Sequence, residues 1–217
     1  MKKRIFTTTK DGTQTIYIPE LDEHYHSTNG ALQEAEIVYL KAGLDYCEKD
    51  EINILEAGFG TGLNAYLTML TSDKKINYTS IELYPLSEEE VSNLNHYETI
   101  SGGTKELFLK LHEAAWGNFS PITDTFSLRK IHDDLTTHSY DEGYDVVYYD
   151  AFAPEVQPHL WTADVFQKIY DSMNKGGVLT TYCVKGIVKR ALKSCGFKIE
   201  KLPGAAGKRE MLRAVKE

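Results

Sequence analysis

Three glycines, Gly58, Gly60 and Gly62, alternate with other residues directly after an apolar run, and Glu56 precedes them. Glycine lets the backbone turn sharply and approach a ligand closely, because no Cβ atom is in the way. Position 63 is Leu, so the spacing departs from the G-x-G-x-x-G fingerprint of dinucleotide-binding loops. A carboxylate at Glu56 would repel a pyrophosphate, but it suits a ligand with a cationic amino-acid end, such as S-adenosylmethionine. The alternative is a tight strand-to-helix turn that binds no ligand.

Acidic side chains also follow the next two predicted strands. Glu82 ends a strand 20 residues beyond Gly62, where a carboxylate can accept hydrogen bonds from both ribose hydroxyls of a nucleoside. Asp133 and Asp134 follow the third strand, and one of them is expected to accept a hydrogen bond from an adenine amino group. The alternatives are an exposed glutamate at a strand end and a pair of loop aspartates that cap a turn.

Asp150 follows an apolar strand, where burial of a carboxylate is costly unless the group is paired. Phe152 lies in the proline-stiffened loop that follows, and its ring, like that of Trp161, either offers a face for stacking or packs in the core. Lys208 and Arg209 precede the last predicted strand. These two side chains meet either a phosphate of a ligand or carboxylates of the surface.

These residues lie at the ends of strands in an alternating β/α pattern. Seven strands are predicted, at 52–57, 76–82, 126–132, 144–150, 178–184, 197–202 and 210–215. Helices are predicted at 62–71, from near Ser87, at 163–174 and at 186–194, and a helical insertion is predicted near 101–122. Ser87 and Glu90 form a capping box at the start of the second of these helices, and Gly176-Gly177 ends the third. Such a pattern predicts a mainly parallel α/β sheet, which binds ligands at the carboxyl ends of its strands.

The first fifty residues precede this core. β-Branched residues on both sides of Lys10-Asp11-Gly12 predict a small β-hairpin. A polar loop is predicted at 24–30, and a helix at 31–44 that buries one face. We therefore expect a single domain over 1–217, with a hairpin and a cofactor-covering helix in 1–50 and a Rossmann-like core in 51–217.

The charge of the chain is unevenly distributed. A formal net charge of −8 argues weakly against a nucleic-acid partner. However, residues 184–217 contain ten Lys and Arg against three Glu, and the remainder contains 14 basic and 29 acidic residues. A basic C-terminal sector can present an anion-binding face, or it can be a solvated helix face with edge-strand lysines.

Cysteine content and hydropathy limit the class of protein further. Cys47, Cys183 and Cys195 show no metal-ligand spacing, which fits a reducing compartment and predicts no metal. No stretch approaches the ~18 uncharged apolar residues of a membrane helix. The basic N-terminus is followed by polar residues instead of the apolar segment of a signal peptide. We expect a cytoplasmic protein with no membrane partner.

Residues 54–64 resemble the cofactor loop of the tRNA 5-methylaminomethyl-2-thiouridine methyltransferases, which comprise the methyltransferase half of bifunctional MnmC and the stand-alone MnmD proteins. Further stretches match in the family's order: 27–34, 82–86, 150–154 continuing to Pro158, Trp161 and Thr162, and 207–212. Ala151 stands where the family pattern has Gly, which leaves the role of Asp150 intact. The flavin-dependent half of the bifunctional proteins has no counterpart in these 217 residues.

The resemblance implies a class I S-adenosylmethionine-dependent methyltransferase fold, with a seven-stranded sheet whose last strand is antiparallel. It implies methylation of the 5-aminomethyl group of the tRNA wobble uridine, giving 5-methylaminomethyl-2-thiouridine, and a functional link to a separate enzyme that makes the aminomethyl precursor. The expected cofactor contacts are Glu34, Glu56, Gly58, Phe59, Gly60, Gly62, Asn64, Glu82, Asp133, Asp134 and Asp150. Asp150 and Phe152 are the expected catalytic residues, and Trp161, Lys208 and Arg209 are expected to bind the tRNA.

Asp150 has two possible roles at this stage. It either orients the aminomethyl group and helps to remove its proton, or it binds the ammonium group of the cofactor. Three other functions remain open for the chain: a small-molecule methyltransferase, an aminopropyltransferase of the spermidine-synthase type, and a non-catalytic module that senses the cofactor or binds tRNA. The acidic residues before position 184 would suit a polyamine, but the aspartate-rich loops of aminopropyltransferases are missing. A non-catalytic module would require damage at Asp150 or the glycine loop, and none is visible.

Overall fold

The computed structural model describes residues 3–217, so residues 1 and 2 of the basic N-terminus lie outside the described range. The strands are β1 (Ile5–Thr8), β2 (Gln14–Ile18), β3 (Glu23–His24), β4 (Glu51–Ala57), β5 (Lys75–Glu82), β6 (Ser120–Pro121), β7 (Phe126–His132), β8 (Tyr144–Tyr149), β9 (Met173–Thr181), β10 (Lys198–Pro203) and β11 (Glu210–Val215). The α-helices are α1 (Ala31–Glu34), α2 (Leu63–Thr71), α3 (Glu88–Ser92), α4 (His96–Thr99), α5 (Lys105–Glu113), α6 (Ala163–Ser172) and α7 (Gly186–Ser194).

The main sheet has the strand order β10-β11-β9-β8-β4-β5-β7-β6. Its five central strands are parallel, whereas β11 is antiparallel to both β9 and β10. The chain starts the core at β4, builds outward through β5 and β7, and then crosses to β8 on the other side of β4. The carboxyl ends of β4 and β8 therefore flank the topological switch point, where parallel α/β sheets bind their ligands.

The predicted mainly parallel sheet with an antiparallel last strand is confirmed, and all seven predicted strands are present, but the sheet has one further strand. The eighth strand is β6, which pairs antiparallel with β7 at the edge of the sheet. It lies in the segment predicted as a helical insertion, of which α5 is the main helical part. A two-residue strand that contains a proline has too few side chains to show an alternating pattern, so the sequence carries no signal for it.

Strand β9 starts earlier than its sequence pattern indicated. The predicted bounds were 178–184, but β9 begins at Met173 and ends at Thr181. Gly176 and Gly177, predicted to end the preceding helix, lie inside the strand. Gly176 has a positive φ of +80°, which marks an irregularity of the backbone that an alternating side-chain pattern does not reveal.

The N-terminal segment forms its own antiparallel sheet. The predicted hairpin is present as β1 and β2, and β3 adds a third strand in the region predicted as a polar loop. The helix predicted over 31–44 is one turn of α-helix, α1, followed by a π-helix over Ala35–Lys41. Its predicted buried face is largely present, since Val38 and Tyr39 are both 1% exposed. The π geometry widens each turn, which hydrophobic spacing alone does not resolve.

The core lies on both faces of the main sheet. Strand β8 is buried along its whole length, as its apolar sequence predicts for the centre of a parallel sheet. The N-terminal helices and α2 pack over one face, while α6 and α7 cover the other. In the described range, none of the helices has the length and apolar content needed to cross a bilayer.

Candidate functional site

A cavity of about 530 Å³ opens at the carboxyl edge of the sheet, at the switch point between β4 and β8. Its size is in the range of small-molecule and cofactor pockets. The loops that follow β4, β5, β7 and β8 line it, and the N-terminal segment 23–34 covers it. The sequence-predicted residues that it brings together are Glu34, Gly58, Phe59, Gly60, Asn64, Glu82, Asp133, Asp134, Asp150, Phe152 and Lys208.

The glycine loop follows β4 and needs glycine for its backbone shape. Gly58, Gly60 and Gly62 have positive φ angles of +94°, +52° and +74°, which other residues rarely adopt. A Cβ atom at Gly60 would lie 3.2 Å from Cδ1 of Tyr25 in the covering segment. The loop therefore offers its main chain to the cavity, while Gly62 lies away from the wall and precedes the first turn of α2.

The carboxylate of Glu82 is fixed at the end of β5 by two main-chain groups. The N–H of Gly60 donates to Oε2 at 3.0 Å, and the N–H of Tyr84 donates to Oε1 at 2.7 Å. Each carboxylate oxygen can accept more than one hydrogen bond. Glu82 thus ties the glycine loop to β5 and keeps acceptor capacity toward the cavity, as binding of ribose hydroxyls would require.

Both aspartates after β7 cap their own loop, which was the alternative considered from the sequence. Oδ1 of Asp133 accepts a hydrogen bond from the N–H of Asp134, and Oδ2 lies 2.8 Å from Nδ1 of His138. Contact with His138 lowers the pKa of Asp133. Oδ1 of Asp134 accepts hydrogen bonds from the N–H and hydroxyl of Thr136, but in the described range Oδ2 has no such bond. Asp134 therefore has the freer acceptor of the two.

Asp150, half-buried on the cavity wall, and Glu56, fully buried, form an acidic pair beside Asn64. Nδ2 of Asn64 donates to Oδ2 of Asp150 at 2.9 Å, and burial raises the pKa of Asp150 to about 6. Glu56 is 1% exposed, and its Oε2 atom has no hydrogen-bond partner among the described residues. Burial raises the pKa of Glu56 to about 8, so this carboxyl favours its neutral form until a cation approaches. Glu56 lies behind the cavity lining instead of on it.

Glu34 and Lys208 close one wall of the cavity from distant parts of the chain. Nζ of Lys208 lies 2.5 Å from Oε1 of Glu34 and 4.0 Å from the centre of the Tyr182 ring. Oε2 of Glu34 accepts a hydrogen bond of 3.3 Å from the N–H of Ser27. The covering segment is thereby linked to the loop between β10 and β11. This ion pair also shows that Lys208 has an intramolecular carboxylate partner.

The aromatic residues of the Asp150 loop have different environments. Phe152 lines the cavity, and its ring meets Tyr25 edge-on with centroids 5.2 Å apart. Trp161 is 3% exposed and donates from Nε1 to the carbonyl oxygen of Phe152, so it packs in the core and supports the loop from behind. Arg209 is exposed and lies outside the cavity lining. The structure thus places Trp161 and Arg209 apart from the cluster around Asp150.

Sequence analysis missed three histidines whose side chains contact Thr61 in the glycine loop. Nε2 of His26 and Nε2 of His96 lie 3.1 Å and 2.8 Å from the Thr61 hydroxyl, and His112 donates from Nε2 to the Thr61 carbonyl oxygen. Burial lowers the pKa of His26 to about 4 and that of His112 to about 3, so both are neutral at pH 7. They are far apart in sequence, so no motif connects them. Among residues 3–217 no cluster of His, Cys, Asp or Glu is arranged to hold a metal ion.

These residues fit S-adenosylmethionine. The main chain of Gly58 and Gly60 forms a cradle on the cavity wall, where the absence of Cβ atoms lets a ligand, and Tyr25 of the covering segment at Gly60, lie close to the backbone. The anchored carboxylate of Glu82 suits a ribose, and Asp134 suits an adenine amino group. The carboxylate of Asp150 gives the cavity wall the negative potential that a cationic amino-acid moiety and a sulfonium require, and the neutral carboxyl of Glu56 behind the wall would ionise as such a cation binds.

Comparison with known proteins agrees with this fit. Residues 123–217 match the family model described as S-adenosyl-L-methionine-dependent methyltransferase. Among curated proteins, the chain is 30% identical over 213 residues to the "tRNA 5-methylaminomethyl-2-thiouridine biosynthesis bifunctional protein MnmC" of Marinomonas sp. (88% of this chain, 31% of that protein). It is 31% identical over 221 residues to the protein of the same name from Cupriavidus metallidurans (93% and 32%). The chain thus spans about a third of the length of these relatives.

Solved structures extend the comparison to the fold. The structure described as MNMC2 from Aquifex aeolicus superposes with a TM-score of 0.80 at 23% identity, covering 100% of this chain and 71% of that one. Spermidine synthase from Thermotoga maritima gives 0.60 at 14% identity, covering 99% and 73%. At such identities both matches show the fold alone. The chain is thus similar in sequence to part of the MnmC proteins, its residues 123–217 match the S-adenosyl-L-methionine-dependent methyltransferase family model, and its fold is that of the MNMC2 structure.

Proposed function

We propose that the chain methylates the amine of a 5-aminomethyl group on the wobble uridine of tRNA. The relatives' names support tRNA and 5-methylaminomethyl-2-thiouridine as the substrate and product class. The observation that carries the proposal is the position of Asp150, a carboxylate held by Asn64 on the wall of the cavity that the glycine loop lines. An amine that enters this cavity meets a negatively charged group next to the cofactor loop.

The amine must be neutral when it reacts. S-adenosylmethionine supplies an electrophilic methyl group, whose bond to sulfur breaks as the amine nitrogen forms a bond to it. If the pKa of the amine is near the ~10.4 of a lysine, the neutral form costs about 4 kcal/mol at pH 7. With its pKa raised to about 6, Asp150 is mostly ionised at pH 7 and yet more basic than an ordinary aspartate. It orients the ammonium form, accepts its proton and leaves the lone pair free.

The other residues of the cavity hold and position the reactants. Glu82 accepts hydrogen bonds from the ribose of the cofactor, Asp134 from its adenine amino group, and Glu34 faces its amino-acid end, with Glu56 behind the cavity wall. Phe152, braced by Tyr25, offers its ring to the uracil base. Because methyl transfer is an in-line displacement, correct positioning supplies much of the rate enhancement.

A labelled-methyl assay tests the proposal. The purified chain is incubated with methyl-labelled S-adenosylmethionine and tRNA that carries 5-aminomethyluridine at the wobble position, with and without 2-thiolation, and the nucleosides are separated after digestion. We expect label on the wobble nucleoside alone. A parallel incubation with spermidine precursors and free 5-aminomethyluridine tests small-molecule substrates. Label on a free amine with none on tRNA would overturn the proposal.

The biological setting follows from this reaction. The 5-aminomethyl group must come from another enzyme, because methyl transfer forms no bond between a uracil ring and an aminomethyl group. tRNA with a modified wobble uridine is therefore the expected partner, and the cytoplasm, where tRNA is found, is the expected location. Deletion of the gene is expected to leave 5-aminomethyluridine in bulk tRNA, which nucleoside analysis by mass spectrometry would detect.

A further inference from the structure

The basic side chains of the C-terminal sector, residues 184–217, fall into those with an intramolecular partner and those without one. Five of its ten Lys and Arg side chains form ion pairs: Lys185, Lys198, Lys201, Lys208 and Arg213. Lys216 donates to the main-chain oxygens of Tyr170 and Met173. The other four have neither a hydrogen bond nor an ion pair from their side chains within residues 3–217: Lys189, Arg190, Lys193 and Arg209.

Three of these four residues share one side of α7. Lys193 follows Arg190 by three residues and Lys189 by four, a spacing that places its side chain next to both of theirs. The opposite side of α7 packs into the core through Val188 and Leu192. The helix contains no acidic residue, and like charges at this spacing destabilise an isolated helix. The helix dipole favours Lys193 in the last turn but does not account for Lys189 and Arg190 beside it, and this arrangement points to an anionic partner outside the chain.

The position of α7 connects this charge to the cavity. The helix begins shortly after the end of β9, and Tyr182, in the connecting segment, lines the cavity wall. Arg209 lies at the same edge of the sheet, in the loop between β10 and β11 and next to Lys208. The rest of the chain is acidic, with 14 basic and 29 acidic residues before position 184. A polyanion is therefore attracted to one side of the cavity mouth and repelled from most of the remaining surface.

We propose that Lys189, Arg190 and Lys193, here called the α7 basic face, bind the sugar–phosphate backbone of the tRNA substrate, with Arg209 extending the contact toward the cavity. The inference rests on the proposed function and adds the surface that receives the RNA. Phosphate contacts fix the register and orientation of a nucleic acid on a protein. Here they hold the anticodon arm so that the wobble base reaches Asp150.

The composition of α7 favours RNA over a membrane surface. Helices that lie on membranes present a continuous apolar face to the lipid. Of the residues of α7, all of which the structure describes, Ile187 is the one large apolar residue whose side chain is strongly exposed. The remaining apolar residues of this helix face the core. A phosphodiester backbone needs only the charges. Its affinity is expected to depend steeply on salt, because each neutralised phosphate releases counterions.

The test compares two triple variants of equal charge. The first replaces the α7 basic face with glutamine (Lys189→Gln, Arg190→Gln, Lys193→Gln). The control makes the same change at three exposed lysines elsewhere that also lack ion pairs: Lys41, Lys105 and Lys175. Methylation of tRNA carrying 5-aminomethyluridine is measured at several salt concentrations, with the affinity for S-adenosylmethionine measured by calorimetry and thermal unfolding confirming that both variants are folded.

The α7 variant is expected to have a KM for tRNA raised about tenfold or more. The slope of log affinity against log salt concentration is expected to be smaller in magnitude by about 2, at ~0.7 per lost phosphate contact. Its kcat at saturating tRNA and its affinity for S-adenosylmethionine should equal those of the control variant. If the wild-type chain methylates tRNA and the two variants have the same KM and salt slope, the inference is overturned while the proposed function stands.

Two other experimental outcomes would lead to different conclusions. If the wild-type chain transfers no methyl group to tRNA, the proposed function itself fails, whatever the variants do. If the wild-type and control proteins sediment with phosphatidylserine-containing vesicles and the α7 variant does not, the face binds membranes, and its assignment to RNA is overturned.

Discussion

Asn64, at the start of α2, donates a hydrogen bond of 2.9 Å from Nδ2 to Oδ2 of Asp150, at the carboxyl end of β8. The two residues belong to the two loops that flank the switch point of the sheet. The bond therefore fixes the carboxylate relative to the glycine loop. Under the proposed function, this bond sets the distance between the carboxylate that accepts the proton of the amine and the main chain that contacts the cofactor.

Replacing Asp150 by Asn tests its role in proton transfer. An amide keeps the shape of the side chain but cannot accept the proton, so we expect single-turnover methylation to slow about 100-fold or more. The affinity for S-adenosylmethionine by calorimetry should change little. Glu155→Gln, at an exposed carboxylate of the same loop, serves as the control. A parallel loss of cofactor affinity in Asp150→Asn would assign the residue to the cofactor's ammonium, and unchanged turnover would remove it from both roles.

Glu56 should make the stability of the protein depend on pH. Its folded pKa of about 8 exceeds the ordinary 4.5, so between these values the folded chain binds more protons than the unfolded chain. The stability associated with its neutral form is fully present below about pH 4.5 and is lost as the pH rises toward 8, by up to about 4 kcal/mol. Glu56→Gln should remove this part of the pH dependence in urea unfolding at pH 5 to 8.

Glu51→Gln provides the matched control for this experiment. Glu51 lies on the same strand, is exposed, and has its pKa lowered by Lys75. It should therefore leave the decline between pH 5 and 8 as it is in the wild-type chain. If Glu56→Gln and Glu51→Gln give the same curves, Glu56 does not titrate in the way that its burial predicts.

Two glycines with similar backbone angles but different surroundings test the cradle. Gly60 and Gly102 have φ angles of +52° and +79°, and a Cβ atom would contact Tyr25 at Gly60 but nothing within 4 Å at Gly102. Alanine should cost about 1 kcal/mol of stability at either position because of backbone strain. Only Gly60→Ala should also weaken S-adenosylmethionine binding. Equal cofactor affinity in the two variants, measured by calorimetry, would mean that the ligand does not approach the main chain there.

The ion pair of Glu34 and Lys208 should matter for cofactor binding. Glu34→Ala removes a carboxylate from the cavity wall, and we expect the Kd for S-adenosylmethionine to rise about tenfold, the value for one charged hydrogen bond. Lys208→Ala should weaken binding less, because Glu34 keeps its bond from Ser27. Lys201→Ala breaks an exposed ion pair of the same hairpin and is the control. A Kd for Glu34→Ala equal to that control would place Glu34 outside the binding site.

The sequence predicted the sheet well because its strands carry strong patterns. Strand β8 is apolar except for Asp145, and β11 has the predicted bounds of Glu210–Val215. The capping box of Ser87 and Glu90 is also present. Such signals come from residues close together in the chain. Strand β6 and the π-helix over Ala35–Lys41 carry no comparable local signal, because pairing with β7 and packing against the sheet decide them.

The candidate site could be predicted where it follows strand ends and could not where it depends on tertiary contacts. Gly60, Glu82 and Asp150 follow directly from the β/α pattern, since parallel strands end at one edge. Trp161 was expected to bind substrate, but it packs behind the Phe152 loop, a distinction that only burial reveals. The histidines around Thr61 come from segments far apart, and their contacts exist only in the folded chain.

The wall made by Glu34 and Lys208 also has a consequence for how the protein acquires its ligand during synthesis. The ribosome adds Lys208 174 residues after Glu34. A nascent chain that stops before Lys208 lacks the partner that pairs with Glu34 in the cavity wall, so S-adenosylmethionine meets an incomplete site. Because a ligand stabilises a state only as far as it binds that state, the cofactor favours chains that already contain Lys208 over shorter precursors. Translation must therefore have passed Lys208 before the metabolite contributes fully to folding.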